Sequence, residues 1–145
     1  MKVTFPIMIE KYQEYNRLYF DGGLPMPNFG MLETYSYLGR FRCAKIVGNR
    51  RLKRQMIELS CYYDFTEEEL RDVFVHEMIH YYLAYHHIDN NLTHGEAFLK
   101  MCQEMNQRYG MNLKARAGRF EYKRAADAPL GSWIVYVIMN CLIFW

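Results

Sequence analysis

The chain has 145 residues, of which 51% are hydrophobic and 23% charged, and its formal net charge is only +2. This length predicts one compact domain and excludes a comfortable second one, because a chain of this size buries about two thirds of its unfolded surface in a single core. The four cysteines lie far apart and form no C-x-x-C pattern, which excludes a cysteine-rich metal site and predicts buried, reduced thiols.

The N-terminal segment is predicted to be a helix. An apolar run at residues 3–9 is interrupted by Pro6 and followed by charged residues, which is unlike a secretory signal, so we expect a cytoplasmic protein. Residues 7–20 then carry apolar and aromatic side chains at helical spacing, and the sequence D-G-G-L-P ends the helix.

Three extended segments follow, at residues 29–35, 38–47 and 55–62. In the third segment, Ile57 and Leu59 alternate with polar side chains, which is typical of a strand with one buried face. Gly48 and Asn49 mark the turn between the second and third segments. These segments predict a three-stranded antiparallel sheet.

Positive charge is concentrated in residues 38–55, which contain seven basic residues and no acid, and in residues 113–124, which contain five basic residues and one acid. The densest acid-free stretch is Arg50, Arg51, Lys53 and Arg54. Clustered Lys and Arg residues are what binding to the phosphates of DNA requires. The alternative is a hairpin with solvated charges that discourage aggregation at the sheet edge. Both interpretations stay open, and we weigh the second slightly higher.

The segment after the sheet predicts a helix that carries a metal-binding pattern. Thr66 and Glu69 form a capping box at its start, and apolar residues follow at helical spacing. His76, Glu77 and His80 then form H-E-x-x-H. Histidines four residues apart project from one helix face and can share a metal ion, and a glutamate beside them can take a proton from a metal-bound water. Packing alone explains a single buried histidine but not this combination, so the pattern predicts a catalytic zinc site.

A catalytic zinc needs a third protein ligand. In an unbroken helix His86 lies about 15 Å along the axis from His76, which is too far for a shared metal. A second capping box, T-H-G-E, is predicted to begin another helix, and the polar stretch before it is long enough to bring His94 back to the metal. Glu96 is the second choice, because its place in the capping box explains it structurally. His86 and His87 are expected in the exposed turn.

The C-terminal residues 133–145 are nearly all apolar. As a helix they reach about 20 Å, short of the roughly 30 Å of a bilayer core, so we do not expect them to span a membrane. Their β-branched and aromatic content favours a buried strand or a surface for self-association. Residues 126–132 are predicted to be a short linker.

Three sequence patterns occur together in this chain: V-H-E-M-I-H-Y at residues 75–81, T-H-G-E-A-F at 93–98 and Y-N-R-L-Y-F-D-G-G-L-P at 15–25. With these patterns, residues 8–112 resemble the SprT-like zinc metallopeptidases, a family that includes the Spartan proteases, which degrade proteins crosslinked to DNA. The resemblance implies that His76, His80 and His94 bind zinc and that Glu77 is the catalytic base. These assignments agree with the spacing argument.

We therefore expect an α+β fold with an N-terminal helix, a three-stranded antiparallel sheet and two zinc-binding helices, a minimal zincin-like domain. This domain is predicted to cover residues 1–125, with residues 126–145 as a linker and an apolar tail.

The predicted function is a zinc-dependent endopeptidase with one Zn²⁺ per chain, in which Glu77 acts as general base on a metal-bound water. Its substrate is expected to be an extended protein or peptide segment paired with an edge strand. DNA-associated proteins are candidate substrates, and the nucleoid is a candidate location within the cytoplasm. The alternative is a non-catalytic DNA-associated binding module with a structural zinc site. Glu77 favours the enzyme, because a structural site has no chemical use for that carboxylate.

Overall fold

The computed structural model describes residues 1–48, 50–116 and 122–143. In these ranges the chain forms α1 (Phe5–Tyr19), β1 (Asn28–Leu32), β2 (Gly39–Arg42), β3 (Met56–Ser60), α2 (Glu67–Tyr85), α3 (Glu96–Tyr109) and α4 (Leu130–Ile143). The sheet has the strand order β1-β3-β2. This arrangement confirms the predicted α+β class, with the N-terminal helix and the sheet preceding the helices of the site.

Helix α1 begins two residues earlier than predicted because Thr4 caps it. The Thr4 side chain accepts a hydrogen bond from the amide of Ile7 at 3.3 Å. Pro6 lies in the first turn, where its missing N–H group leaves no hydrogen bond unmade. The helix then buries Met8 and Tyr12 in the core.

The sheet is mixed, so the prediction of a purely antiparallel sheet is wrong for one of its two pairings. Strand β2 pairs with β3 in the antiparallel sense, but β1 pairs with β3 in parallel. Strands adjacent in sequence are therefore not all adjacent in space. Four of the five residues of β3 are buried, from Ile57 to Ser60. A strand buried on both faces belongs at the centre of a sheet, and this requires the chain to cross from β1 to the opposite edge before β2.

Helix α2 is the central element, since it contacts α1, α3, β2 and β3. Its Thr66 cap accepts a hydrogen bond from the Glu69 amide at 3.1 Å, as predicted, and the helix ends at Tyr85, with His86 as its C-cap. Phe74 is fully buried and packs against Tyr12 of α1 and Phe29 of β1. This packing makes α2 a rigid support for side chains on its exposed edge.

Helix α3 does not begin with the predicted capping box. It begins at Glu96, and its N-cap is Gly95, which makes no side-chain capping bond. The hydroxyl of Thr93 instead donates to the Asp89 carboxylate at 2.7 Å. Thr93 is therefore part of the loop before the helix, and that loop is fixed by Asp89.

The C-terminal segment is a helix, α4, and the strand interpretation is wrong. Residues 130–132, predicted as linker, form its first turn. Trp133 and Tyr136 pack against Tyr35, and their ring centroids lie 5.0 and 6.1 Å, respectively, from the ring centroid of Tyr35. Inward-facing residues three apart require helical rather than strand periodicity, and here this packing overrides the local strand preference. Phe144 and Trp145, which the tail prediction included, lie outside the described residues, as does Asn49 of the predicted turn.

No helix in the described ranges combines the length and the apolar composition needed to cross a bilayer. The four cysteines are all unpaired. Cys102 is buried, and desolvation raises the pKa of its thiol to about 11. Cys141 is exposed on α4, so the prediction of burial is wrong for this residue.

Candidate metal centre

Three histidine side chains converge where α2 meets the loop before α3. His76 and His80 lie one turn apart on α2, and His94 lies two residues before α3 begins. The Nε2 atom of His94 is 3.1 Å from Nε2 of His80 and 3.2 Å from Nε2 of His76. Within the described ranges, these are the His, Cys, Asp or Glu side chains that come close enough to share an ion, with ligand atoms within 4.8 Å of one another.

The two separations that involve His94 are compatible with a tetrahedral zinc site. With Zn–N bonds of about 2.0–2.1 Å, two ligand nitrogens of a tetrahedral site lie about 3.3–3.4 Å apart. The observed separations are about 0.2 Å shorter. A small outward movement of the rings would therefore accommodate the ion, and three histidines leave the fourth position open, as in catalytic zinc sites.

The imidazoles are held in the neutral form that binds metals. Burial, with a smaller contribution from His94, lowers the pKa of His76 to about 4, and burial with the neighbouring imidazoles lowers the pKa of His80 to about 3. Nδ1 of His76 lies 3.0 Å from the carbonyl oxygen of Lys114. Because a carbonyl only accepts, Nδ1 carries the proton and Nε2 presents its lone pair to the centre.

A single phenylalanine supports all three rings. Phe98 is fully buried in the first turn of α3, and its ring centroid lies 4.8 Å from His76, 4.5 Å from His80 and 4.8 Å from His94. Sequence reasoning did not assign this role. The sequence feature that could have indicated this contact is the H-x-x-x-F spacing of His94 and Phe98, which places the two side chains on one side of the turn.

Asp89 fixes the loop that delivers His94. Its carboxylate accepts hydrogen bonds from the amides of Asn91 (2.9 Å) and Thr93 (2.8 Å) and from the Thr93 hydroxyl. The Asp89 amide bonds to the carbonyl of Leu83 in α2 at 3.2 Å. The loop between α2 and α3 is therefore as short as predicted, and its hydrogen bonds to Asp89 hold Thr93, the residue before His94, in place.

A second set of hydrogen bonds positions the carbonyl that receives the His76 proton. The side chain of Asn106 on α3 accepts from the Leu113 amide at 2.7 Å and donates to the Leu113 carbonyl at 3.0 Å. The Asp72 carboxylate on α2 accepts from the Asn112 amide at 3.0 Å. Both helices thus clamp the segment leading to Lys114, which the sequence patterns did not connect to the site.

Glu77 lies beside the histidines with its carboxyl group buried against β2. Its Oε1 atom is 3.9 Å from Nε2 of His76. Burial raises the pKa of Glu77 to about 8, and a hydrogen bond from the Phe41 backbone opposes this shift. A Cβ atom on Gly39 would lie 3.2 Å from Oε1. The backbone of β2 approaches the carboxylate this closely because residue 39 has no side chain, and a nearby divalent cation would return the buried group to its charged form.

A cleft of about 940 Å³ opens over the centre. Its walls include the three histidines, Glu77 and the residues of β2 from Gly39 to Phe41. Strand β2 pairs only with β3 among the described strands, so it is an edge strand, and it lines this cleft. The arrangement can place an extended chain beside both a metal ion and a carboxylate.

The other predicted residues lie elsewhere. His86 is exposed at the end of α2, where it contacts the ring of Tyr82 at 4.4 Å. His87 is half-buried in the turn, and Glu96 is exposed in the first turn of α3. Neither they nor His86 belong to the cluster of possible ligands.

The predicted DNA-binding residues lie on the loop between β2 and β3. Arg50, Arg51, Lys53 and Arg54 are all exposed there, and buried Leu52 anchors the loop between them. They do not line the cleft, whereas Lys114 and Arg116 of the second basic segment do. Arg119 and Glu121 of that segment lie outside the described residues.

Comparison with protein families shows that residues 8–124 match the model of the SprT-like family. The match includes the three histidines, Glu77 and β2, and it ends before α4. A search of curated proteins found no match to the chain.

Proposed function

Because the chain belongs to the SprT-like family, we propose that it is a zinc-dependent endopeptidase with one Zn²⁺ held by His76, His80 and His94. The observation that carries the proposal is the convergence of three Nε2 atoms beside the buried carboxyl group of Glu77, within a cleft bordered by an edge strand. The proposed peptidase domain is residues 1–125, followed by a linker and an apolar tail at 126–145.

Zinc, when bound, polarises the scissile carbonyl and lowers the pKa of the attacking water. Glu77 accepts the proton of that water as the oxygen bonds to the carbonyl carbon, and then delivers it to the leaving amine nitrogen as the C–N bond breaks. The backbone of Gly39 and Phe41 packs on the carboxyl group and keeps it near the histidines. The substrate backbone pairs with the free edge of β2 by strand addition.

The proposal predicts metal-dependent cleavage of unfolded protein. Denatured casein incubated with the wild type is expected to yield new N-termini, chelation of the metal should abolish them, and one equivalent of Zn²⁺ should restore them. Mass spectrometry of the products measures this. Cleavage that survives complete removal of the metal, or no cleavage of any unfolded protein, would contradict the endopeptidase.

A non-catalytic DNA-associated module with structural zinc is the second candidate, and the exposed basic loop favours it. DNA binding is also compatible with the endopeptidase if its substrates are DNA-associated proteins. We propose that DNA contacts the loop through Arg50, Arg51, Lys53 and Arg54, since these side chains are solvated and no acid lies between them.

Replacing these four residues by Ala should weaken duplex DNA binding and flatten the dependence of log affinity on log salt by about one unit for each phosphate that the protein no longer neutralises. Sequence preference should not change, because binding to phosphates carries no sequence information. Binding isotherms at several salt concentrations measure the slope. The control is Lys100→Ala with Arg108→Ala, which removes exposed charges from α3. Equal slopes for the wild type and the loop variant would mean that the loop charges contribute to solubility and not to DNA binding.

We propose that a second copy of the chain binds the outer face of α4. This face is an uncharged stripe of side chains that are each about half exposed: Leu130, Ile134, Val135, Ile138 and Met139. A contiguous exposed apolar stripe can mark a protein–protein contact, and pairing two copies would remove it from water.

Ile134→Glu with Ile138→Glu is expected to convert a dimer to a monomer, because each charge would be buried without a partner in the interface. Sedimentation velocity measures the mass. Leu99→Glu, at a similarly exposed position on α3, should leave the mass unchanged. A wild type that is monomeric at high concentration would refute the proposed interface.

A cytoplasmic location is also proposed, supported by four unpaired cysteines, which suit a reducing compartment. Fractionation of cells that express the full chain tests it, and recovery from the secreted fraction would contradict it.

A further inference from the structure

The residues that line the cleft include two chemically different groups. One group is the three histidines and Glu77, and the other is five aromatic side chains in contact with one another, which we call the aromatic wall: Tyr35, Tyr63, Tyr122, Trp133 and Tyr136. Tyr35 and Tyr63 are each 4% exposed and form its base, whereas the other three are half-buried. The proposed chemistry at the metal centre does not use any of these five residues.

Helix α4, which lies beyond the family match, supplies two members of the aromatic wall. Trp133 packs edge-on against Tyr35 and stacks on Tyr136 at 5.7 Å. The Tyr35 hydroxyl donates to the carbonyl of Pro129 at 3.0 Å, and the Tyr63 hydroxyl donates to the carbonyl of Tyr35 at 2.6 Å. The cleft keeps its volume of about 940 Å³ with α4 docked in this way, so the helix borders the cleft rather than filling it.

The aromatic wall lies on a defined side of the scissile bond. Tyr35 precedes Gly39 by four residues, so the two backbones lie at most about 13 Å apart. Gly39 and Phe41 are the residues of β2 whose backbone lies against the Glu77 side chain. A peptide added antiparallel to β2 runs from the Arg42 end toward the Gly39 end, and its residues after the scissile bond therefore continue toward Tyr35.

We propose that the aromatic wall is a subsite for a large apolar or aromatic substrate side chain on the C-terminal side of the scissile bond, and that α4 completes this subsite. The inference rests on the proposed endopeptidase function. Ring faces with a buried base suit a Leu, Met or Phe side chain, because they bury its apolar surface and make edge-to-face ring contacts without needing a polar partner. Substrate preference would then depend on a helix outside the family's matched region.

Product mapping tests the subsite. In digests of denatured casein, the wild type is expected to cut where a large apolar residue occupies one of the three positions after the cleaved bond. Tyr136→Ala and Trp133→Ala should lower kcat/KM for a peptide with Phe there by roughly 10- to 100-fold, and much less for the matched peptide with Gly. Leu99→Ala, which removes an exposed apolar side chain from α3, should change neither value. Equal losses for both peptides would overturn the proposal.

A binding measurement separates this subsite from the chemistry. In a Trp145→Phe background, fluorescence of Trp133 should change saturably with Leu-Leu-Leu-amide, which mimics the C-terminal product, and at least about 10-fold more weakly with Gly-Gly-Gly-amide. Tyr136→Ala should remove the difference. Leucine-selective binding without any proteolysis would support the subsite and refute the endopeptidase. Equal affinities for the two peptides would refute the subsite.

Discussion

Glu77→Gln is expected to lower kcat/KM by about three orders of magnitude or more while one zinc ion per chain remains bound. Gln keeps the size and hydrogen bonds of the side chain, but it cannot accept the proton of the attacking water. Glu77 is buried against Gly39 and Phe41, where a larger side chain would not fit. The isosteric amide therefore removes the base without disturbing the packing.

The measurement pairs initial rates on a fluorogenic peptide with metal analysis of the same samples. Glu96→Gln is the matched control, since Glu96 is an exposed glutamate two residues after His94 and takes no part in the centre. It should retain the wild-type rate. Full activity in the Glu77 variant would mean that Glu77 is not the general base. Loss of zinc in that variant would mean that Glu77 has a structural role at the centre.

His94→Ala is expected to cost the chain its zinc at micromolar metal, whereas His86→Ala should keep one ion per chain. Nε2 of His94 lies within 3.2 Å of both other ligand nitrogens, and two histidines alone make a weak site. His86 caps α2 against Tyr82, outside the cluster. Since bound metal stabilises the folded chain, the His94 variant should also lose the rise in Tm that zinc gives the wild type.

Metal content by mass spectrometry and Tm with and without zinc measure this pair. Zinc lost from the His86 variant and kept by the His94 variant would overturn the assignment of the third ligand. Equal Tm shifts in both variants would mean that the ion binds elsewhere.

The convergence of the three histidines was predictable from the sequence because two short-range constraints determine it. Helix periodicity places His76 and His80 on one face, and the end of α2 at Tyr85 leaves a reversal of fixed length before His94. Both constraints depend on neighbours in the chain. The predicted convergence agrees with the distances between the Nε2 atoms, although the capping box predicted at Thr93 was wrong, because α3 begins only at Glu96 and Gly95 is its N-cap.

The rest of the site depends on residues distant in sequence. Residue 114 is 38 positions after His76 in the chain, and the hydrogen bonds that Asn106 and Asp72 make to residues 112 and 113 place its carbonyl beside the imidazole. The parallel pairing of β1 with β3 depends on which strand is buried deepest, a property of the whole core. Helix α4 has the β-branched composition of a strand, and its helical form follows from docking on Tyr35, which a local pattern does not encode.

The hydrogen bond from His76 to Lys114 has a consequence for the order in which the histidine cluster is completed while the chain is being synthesised. A growing chain folds from its N-terminus as it leaves the ribosome, so α2 with His76 and His80 emerges first, and His94 follows. The imidazole of His76 acquires its fixed tautomer only when the segment clamped by Asn106 has also emerged. A nascent chain that has not yet exposed residue 114 therefore holds an incompletely ordered histidine cluster, and the proposed proteolysis would have to wait until most of the domain has been synthesised.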